Sequence, residues 1–161
     1  MSAAAERALR PAVPADASAL AGLRFAFRAD LEPPAEPEAD FLARCTPWMA
    51  RRLAPGGSWR CWIAGGAEPV GTVWLQLLEK LPNPVAEPEW HGYVSSLFVR
   101  PDTRGAGLGS RLLAAALAEC DRRGCDAVVL WPTPRSRSLY LRHGFAVRDD
   151  LLERRGRRNN P

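Results

Sequence analysis

Arg104-Gly105-Ala106-Gly107-Leu108-Gly109-Ser110 is the stretch of this chain best suited to chemistry, and that chemistry is anion binding. Its three glycines leave a turn almost free of side chains, so backbone N–H groups can close on a ligand without interference from Cβ atoms. Leu108, Leu112, Leu113, Ala116, Leu117 and Cys120 then recur at helical spacing, which makes the turn the start of a helix. A helix start has unpaired N–H groups and a partial positive charge. Arg104 adds a cation at the mouth, and the spacing predicts a pyrophosphate cradle. Two common cradles do not fit. A Walker loop ends in Gly-Lys before Ser or Thr, whereas Gly109 is followed by Ser110 and Arg111. The dinucleotide fingerprint G-x-G-x-x-G, counted from Gly107, would need a glycine where Leu112 stands.

The elements that must position this turn are legible on either side of it. Tyr93 to Val99 is rich in β-branched and aromatic residues, reads as a strand, and is closed by Pro101. Gly124 ends the helix, and Asp126 to Trp131 reads as a buried strand, so the segment is a strand–helix–strand crossover. Upstream, Leu9 to Val13 is a short strand and Pro14 to Asp30 a helix with Leu20, Leu23, Phe27 and Leu31 on one face. Glu32 to Glu38 is a proline-rich acidic loop. Asp40 to Leu53 is a second helix, with Pro47 inside it as a kink or a delayed start. Ser58 to Ala64 and Val70 to Leu78 are strands joined through Gly65-Gly66. Glu79 to His91 is a long connection with three prolines, of the kind that is functional or mobile. Ser136 to His143 is a short helix, and Phe145 to Leu152 a terminal strand region. Strands alternating with helices make this a mixed α/β sheet.

Val99, Pro101, Arg104, Gly105, Gly107 and Gly109 resemble motif A of the GNAT superfamily of acyl-CoA N-acyltransferases. Leu139, Tyr140, Gly144 and Phe145 resemble that family's Leu-Tyr-x-x-x-Gly-Phe segment, at the separation the family shows. The resemblance covers roughly 71–147. It implies a GNAT fold: a mostly antiparallel central sheet splayed between two parallel strands, 93–99 and 126–131, and flanked by helices. It further implies acetyl-CoA as co-substrate, with no metal, and a small-molecule or peptide amine as acceptor. The pantetheine arm would lie against main-chain groups of Leu97, Phe98 and Val99, as in strand addition. Arg104, Gly105, Ala106, Gly107, Leu108, Gly109 and Ser110 would wrap the pyrophosphate. Tyr140 matches the tyrosine beside the departing sulfur, as a general acid or as a hydrogen-bond donor. Thr133 stands where the family has an asparagine. The helix pair at 14–53 would wall the acceptor side, with the 32–38 loop near the substrate.

The general base has several candidates. Many members of the family carry a glutamate on the strand before motif A, but here the segment reads Tyr93-Val94-Ser95-Ser96. Ser95 or Ser96 could hold a relay water, and Glu79, Glu87, Glu89 and His91 flank the strand. The carboxylates of the 32–38 and 80–90 loops could form an acidic rim that attracts a cationic amine. His143 reads as a surface or packing residue. Of the six tryptophans, Trp62, Trp74 and Trp90 are those that could face an acceptor pocket.

Composition sets the bounds. The chain has 161 residues, 47% hydrophobic and 25% charged, and reads as a single acetyltransferase domain over 1–161. It has no apolar run of membrane-spanning length, and the start MSAAAERALRP lacks a secretory apolar core, so the expectation is a cytoplasmic protein. Cys45, Cys61, Cys120 and Cys125 form no metal-type pair and read as reduced thiols. The net charge of +4 rests almost entirely on arginine and does not read as a nucleic-acid footprint. Arg154, Arg155, Arg157 and Arg158 form a basic tail expected to fray. A second copy of the chain is a candidate partner. The competing function is a catalytically silent acyl-CoA-binding or regulatory module; a dinucleotide-dependent oxidoreductase is a distant third.

Overall fold

Five strands form one sheet in the order β1 (Leu9–Pro11), β2 (Trp59–Gly65), β3 (Pro69–Glu79), β4 (Trp90–Val99), β5 (Cys125–Val129). The first three pairings are antiparallel and β4 pairs β5 in parallel, the mixed sheet expected of the sequence. The computed structural model describes residues 8–66, 68–154 and 156. The basic-tail residues Arg155, Arg157 and Arg158 therefore lie outside the described residues, as do the first seven. The chain forms two compact units, Met1–Trp131 and Pro132–Pro161.

In the larger unit, helices cover both faces of the sheet. One face carries α1 (Ala17–Ala29), entered through a 3-10 turn at Pro14–Asp16, and α2 (Glu38–Arg52). Ala17, Leu20 and Ala21 recur at helical spacing and bury against Met49 of α2 and Cys61, Ile63 and Trp74 of the sheet. Trp74 is thus a core residue, in ring contact with Trp48 and Trp59 at 6.3 and 6.0 Å, and does not face a pocket. Pro47 stays inside α2, which runs on through it. The other face carries α3 (Leu108–Arg123), whose Leu108, Leu112, Leu113, Ala116 and Cys120 are buried.

Strand alternation divides the sheet residues between these layers. Cys61, Ile63 and Trp74 point to the α1–α2 side, while Leu75, Leu77 and Gly92 point to α3. Gly92 is where α3 approaches closest. A Cβ there would stand 2.7 Å from Cys120 Sγ and 3.3 Å from Leu75 Cδ1. Gly92→Ala should therefore lower stability by about 1–3 kcal/mol, the range for overpacking, and urea unfolding of the variant checks this.

The connection from β3 to β4 is shorter than the sequence suggests, because the two strands zip up to Glu79↔Trp90. Lys80, the only lysine, fastens it: its N–H donates to Glu89 O at 2.7 Å, and its Nζ reaches Pro88 O, Glu87 and Asp126.

In the smaller unit, α4 (Arg137–Arg142) is the only helix among the described residues. The strand expected over 145–152 is absent. No strand pairs with this segment among the described residues, Val147 and Leu152 are exposed, and Arg148 pairs locally with Asp150. A strand is made by the ladder it joins, and apolar residues alone do not supply one. Here Phe145 is used instead to stop α4.

Candidate functional site

The site is assembled where β4 leaves its neighbours. Trp74 pairs Ser95 and Thr72 pairs Phe98, so Ser96 and Leu97 together stand opposite Val73. This is a β-bulge, which bends a strand and re-aims its groups. Ser96 takes φ +52°, the only positive φ at a non-glycine among the described residues. That backbone costs roughly 1–2 kcal/mol for an ordinary residue. On the opposite side, β5 follows β4 only as far as Tyr93↔Val129. Beyond that point no strand pairs this edge of Val94–Val99 among the described residues, and its N–H and C=O groups need other partners. Tyr93 closes the last rung by an edge-on ring contact with Trp131, centroids 5.3 Å apart.

The glycine turn begins one 3-10 turn after β4, at Pro101–Thr103. Gly105 and Gly107 take φ +88° and +74°, and Gly107 is the N-cap of α3. A Cβ built on either would meet nothing within 4 Å. Backbone geometry, not crowding, asks for glycine here, and the space over the turn is open. Such a turn, ending in a helix start, fits a pyrophosphate.

Arg104 is placed differently from a cation at the mouth. Its Nε donates to Val99 O at 2.9 Å, its Nη2 pairs with Asp30 at 2.9 Å, and the guanidinium lies over Phe98 at 5.8 Å. Phe98 in turn stacks on Phe27 of α1 at 5.4 Å. Arg104 thus ties the turn to the end of α1, with its charge matched by Asp30.

On the α1 side of the bulge lies a residue that the sequence reading passed over. Arg24 is half-buried, and its Nη1 donates to Ser96 Oγ at 3.0 Å. The signal was present: Arg24 interrupts the apolar stripe Leu20, Leu23, Phe27, Leu31.

The carboxylates lie elsewhere. Glu79 is exposed at the end of β3, and alternation puts it on the α3 side with Leu75 and Leu77, away from Ser95. Glu87 accepts from Asn83 and pairs with Lys80, which holds its carboxyl below the usual range. Glu32 pairs with Arg28 and Glu36 with Arg44, so most carboxylates of the two loops are matched locally rather than lining a rim. His91 shares the Tyr93–Ser95 face, and its Nδ1 is buried without a hydrogen-bond partner. The four thiols are free, and burial pushes Cys61 and Cys120 up to about 12, which makes both poor nucleophiles.

In the Pro132–Pro161 unit the motif around Tyr140 has a local structural logic. Thr133 opens the turn into α4: its Oγ1 lies 2.9 Å from Ser136 Oγ, which also accepts from Thr133 N–H at 3.0 Å. Three bonds end the helix: His143 N–H to Tyr140 O, Gly144 N–H to Leu141 O and Phe145 N–H to Tyr140 O. The last two form a Schellman stop, with Gly144 at φ +83° and the Phe145 ring against Tyr140 at 5.7 Å. The spacing Tyr-x-x-x-Gly-Phe is the geometry that clamps Tyr140. Only 8% exposed, Tyr140 has its phenol pushed up by burial, with the Ser136 hydrogen bond opposing.

Among the described residues, no helix is long and apolar enough to cross a membrane, and no group of three His, Cys, Asp or Glu could hold a metal. Residues 22–145 match the model of the acetyltransferase (GNAT) family. Solved structures resemble the chain over nearly its full length. A Clostridium acetobutylicum protein described as a predicted acetyltransferase, crystallised with acetyl-CoA, is 22% identical with a TM-score of 0.75, covering 92% of this chain and 95% of its own. A GCN5-related N-acetyltransferase from Ralstonia eutropha is 26% identical with a TM-score of 0.71, covering 91% and 97%. A ribosomal-protein-alanine N-acetyltransferase from Brucella melitensis is 21% identical with a TM-score of 0.64, covering 93% and 98%.

Proposed function

This chain belongs to the acetyltransferase (GNAT) family, and from that premise we propose that it transfers the acetyl group of acetyl-CoA directly to a primary amine in a ternary complex. The observation that carries the reading is the parting of β4 from β5 at Tyr93, with a bulge at Ser96 and a glycine turn one step beyond. The β5-side edge of Leu97, Phe98 and Val99, which no strand pairs among the described residues, receives the amide arm of the co-substrate, with Val99 O also accepting from Arg104. Gly105, Ala106, Gly107, Leu108, Gly109 and Ser110 hold its phosphates on backbone N–H groups, while Arg104 holds the turn in place. Thr133 shapes the entry to α4 with its hydroxyl turned to Ser136. Tyr140 gives a hydrogen bond to the sulfur as charge develops on it. Its raised pKa favours donation over full proton transfer: an ordinary phenol is already about 1.5 units above a thiol, or roughly 2 kcal/mol uphill. β4 carries no carboxylate, so the proton of the attacking amine leaves through water held by Ser95 and Ser96. The cytoplasm is the proposed compartment.

Two measurements on the purified protein test this. Acetyl-CoA at a hundred times its Kd should raise Tm by roughly 5–10 °C, and NAD should not. Free thiol should appear when acetyl-CoA and an amine panel are supplied together. A Tm shift without thiol from any amine would leave the silent acyl-CoA-binding module as the reading.

A further inference from the structure

We propose that the acceptor amine bears its own oxyanion, a carboxylate or a phosphate, and that Arg24 receives it. This rests on the acetyl-transfer reading above and names the substrate class of that site.

Arg24 sits on the face of α1 that meets the bulge of β4, half-buried, with one N–H donated to Ser96 Oγ at 3.0 Å. A guanidinium has five N–H donors in a planar fork, so most remain for another acceptor. Among the described residues, none of the ion pairs involves Arg24. The residues that act on it are Phe27 and Arg28 on α1, Cys45 on α2, and Tyr93 and Ser96 on β4. None is a carboxylate. The carboxylates nearest in sequence are matched to other cations: Asp30 to Arg104, Asp16 to Arg10, Glu32 to Arg28 and Glu36 to Arg44. Burial, reinforced by repulsion from Arg28, pulls Arg24 below the usual arginine value, yet an arginine keeps its charge in a protein.

A half-buried cation without a counter-ion is costly, and retaining one beside a functional opening marks a place for an incoming anion. The fork matches a carboxylate or a phosphate in two parallel hydrogen bonds. A polyamine or a lysine side chain would instead bring like charge against Arg24 and Arg28. The acidic rim that would have welcomed such a cation is largely matched by local arginines and Lys80.

Thiol release measured on matched pairs tests the assignment: amino acids against their amides, phosphoethanolamine against ethanolamine, and spermidine as the cationic limit. At least one anionic member should exceed its neutral twin by about 10²-fold in kcat/KM, and the two series separate carboxylate from phosphate recognition. In Arg24→Gln that preference should collapse, mainly through KM, while Arg24→Lys keeps an intermediate share. The acetyl-CoA Kd should stay unchanged in both. The Tm of Arg24→Gln should equal or exceed that of the wild type, because an unmatched cation has been removed, whereas an arginine kept for packing would lower it on loss. Equal rates for the twins, a preference for spermidine, or a preference that survives Arg24→Gln overturns the proposal and leaves acetyl transfer standing. Acetyl-CoA binding with no thiol from any amine overturns both.

Discussion

Tyr140→Phe should slow acetyl transfer by 10²–10⁴-fold in kcat and leave the acetyl-CoA Kd nearly unchanged. The ring is held by features that the substitution keeps. The Schellman stop uses main-chain groups of Tyr140, Leu141, Gly144 and Phe145, and the contact with Phe145 is ring to ring. Only the hydroxyl and its bond to Ser136 are lost, a change of about 1 kcal/mol in stability. A group that meets negative charge chiefly in the transition state appears in kcat rather than in ground-state affinity. Steady-state kinetics beside calorimetric titration of acetyl-CoA separates the outcomes. A kcat within twofold of wild type, with chemistry rate-limiting, removes Tyr140 from the mechanism. A weaker Kd with unchanged kcat makes it a binding residue.

Gly107→Asp should abolish measurable acetyl-CoA binding while the protein stays folded. At φ +74°, aspartate is among the residues that tolerate the left-handed region best, and its Cβ enters open space. The fold therefore loses little, roughly 1–2 kcal/mol. The carboxylate, however, occupies the ground proposed for the pyrophosphate and brings like charge to it. Gly107→Ala is the control that adds the Cβ and the strain without the charge, and it should bind more weakly than wild type but far better than the aspartate variant. Wild-type affinity in Gly107→Asp would remove the turn from phosphate binding.

The parts of this fold that were legible in sequence are those set by local rules. The glycine turn, the α3 stripe from Leu108 to Cys120, and the proline-punctuated strands follow from periodicity and backbone freedom within a few residues. What escaped depends on partners far along the chain. Arg104 looked like a ligand-facing cation because Asp30, its partner, is 74 residues away. Arg24 was overlooked because Ser96, which gives it meaning, is 72 residues away and strained in a bulge that no motif announces. Trp90 and His91 fall in the connection by sequence, since their strand character comes from the pairing with β3 that ends at Glu79↔Trp90. Phe145 to Leu152 differs the other way: it carries apolar residues but forms no strand, and Phe145 takes part in ending α4.

The two faces of the sheet in the larger unit come from separate stretches of chain. The bulge, the turn and α3 lie within 94–124, while the helices facing the proposed acceptor lie within 17–52. The two stretches meet at a few named contacts: Arg104 with Asp30, Phe98 with Phe27, and Arg24 with Ser96. Under the proposed function, changes on α1 and α2 that spare these contacts alter the acceptor without disturbing the donor, as long as Leu20, Met49, Ile63 and Trp74 keep the helix pair seated. On that proposed plan, a lineage takes up new acceptors by redrafting one helical hairpin, and duplicated copies diverge in substrate while sharing one coenzyme requirement.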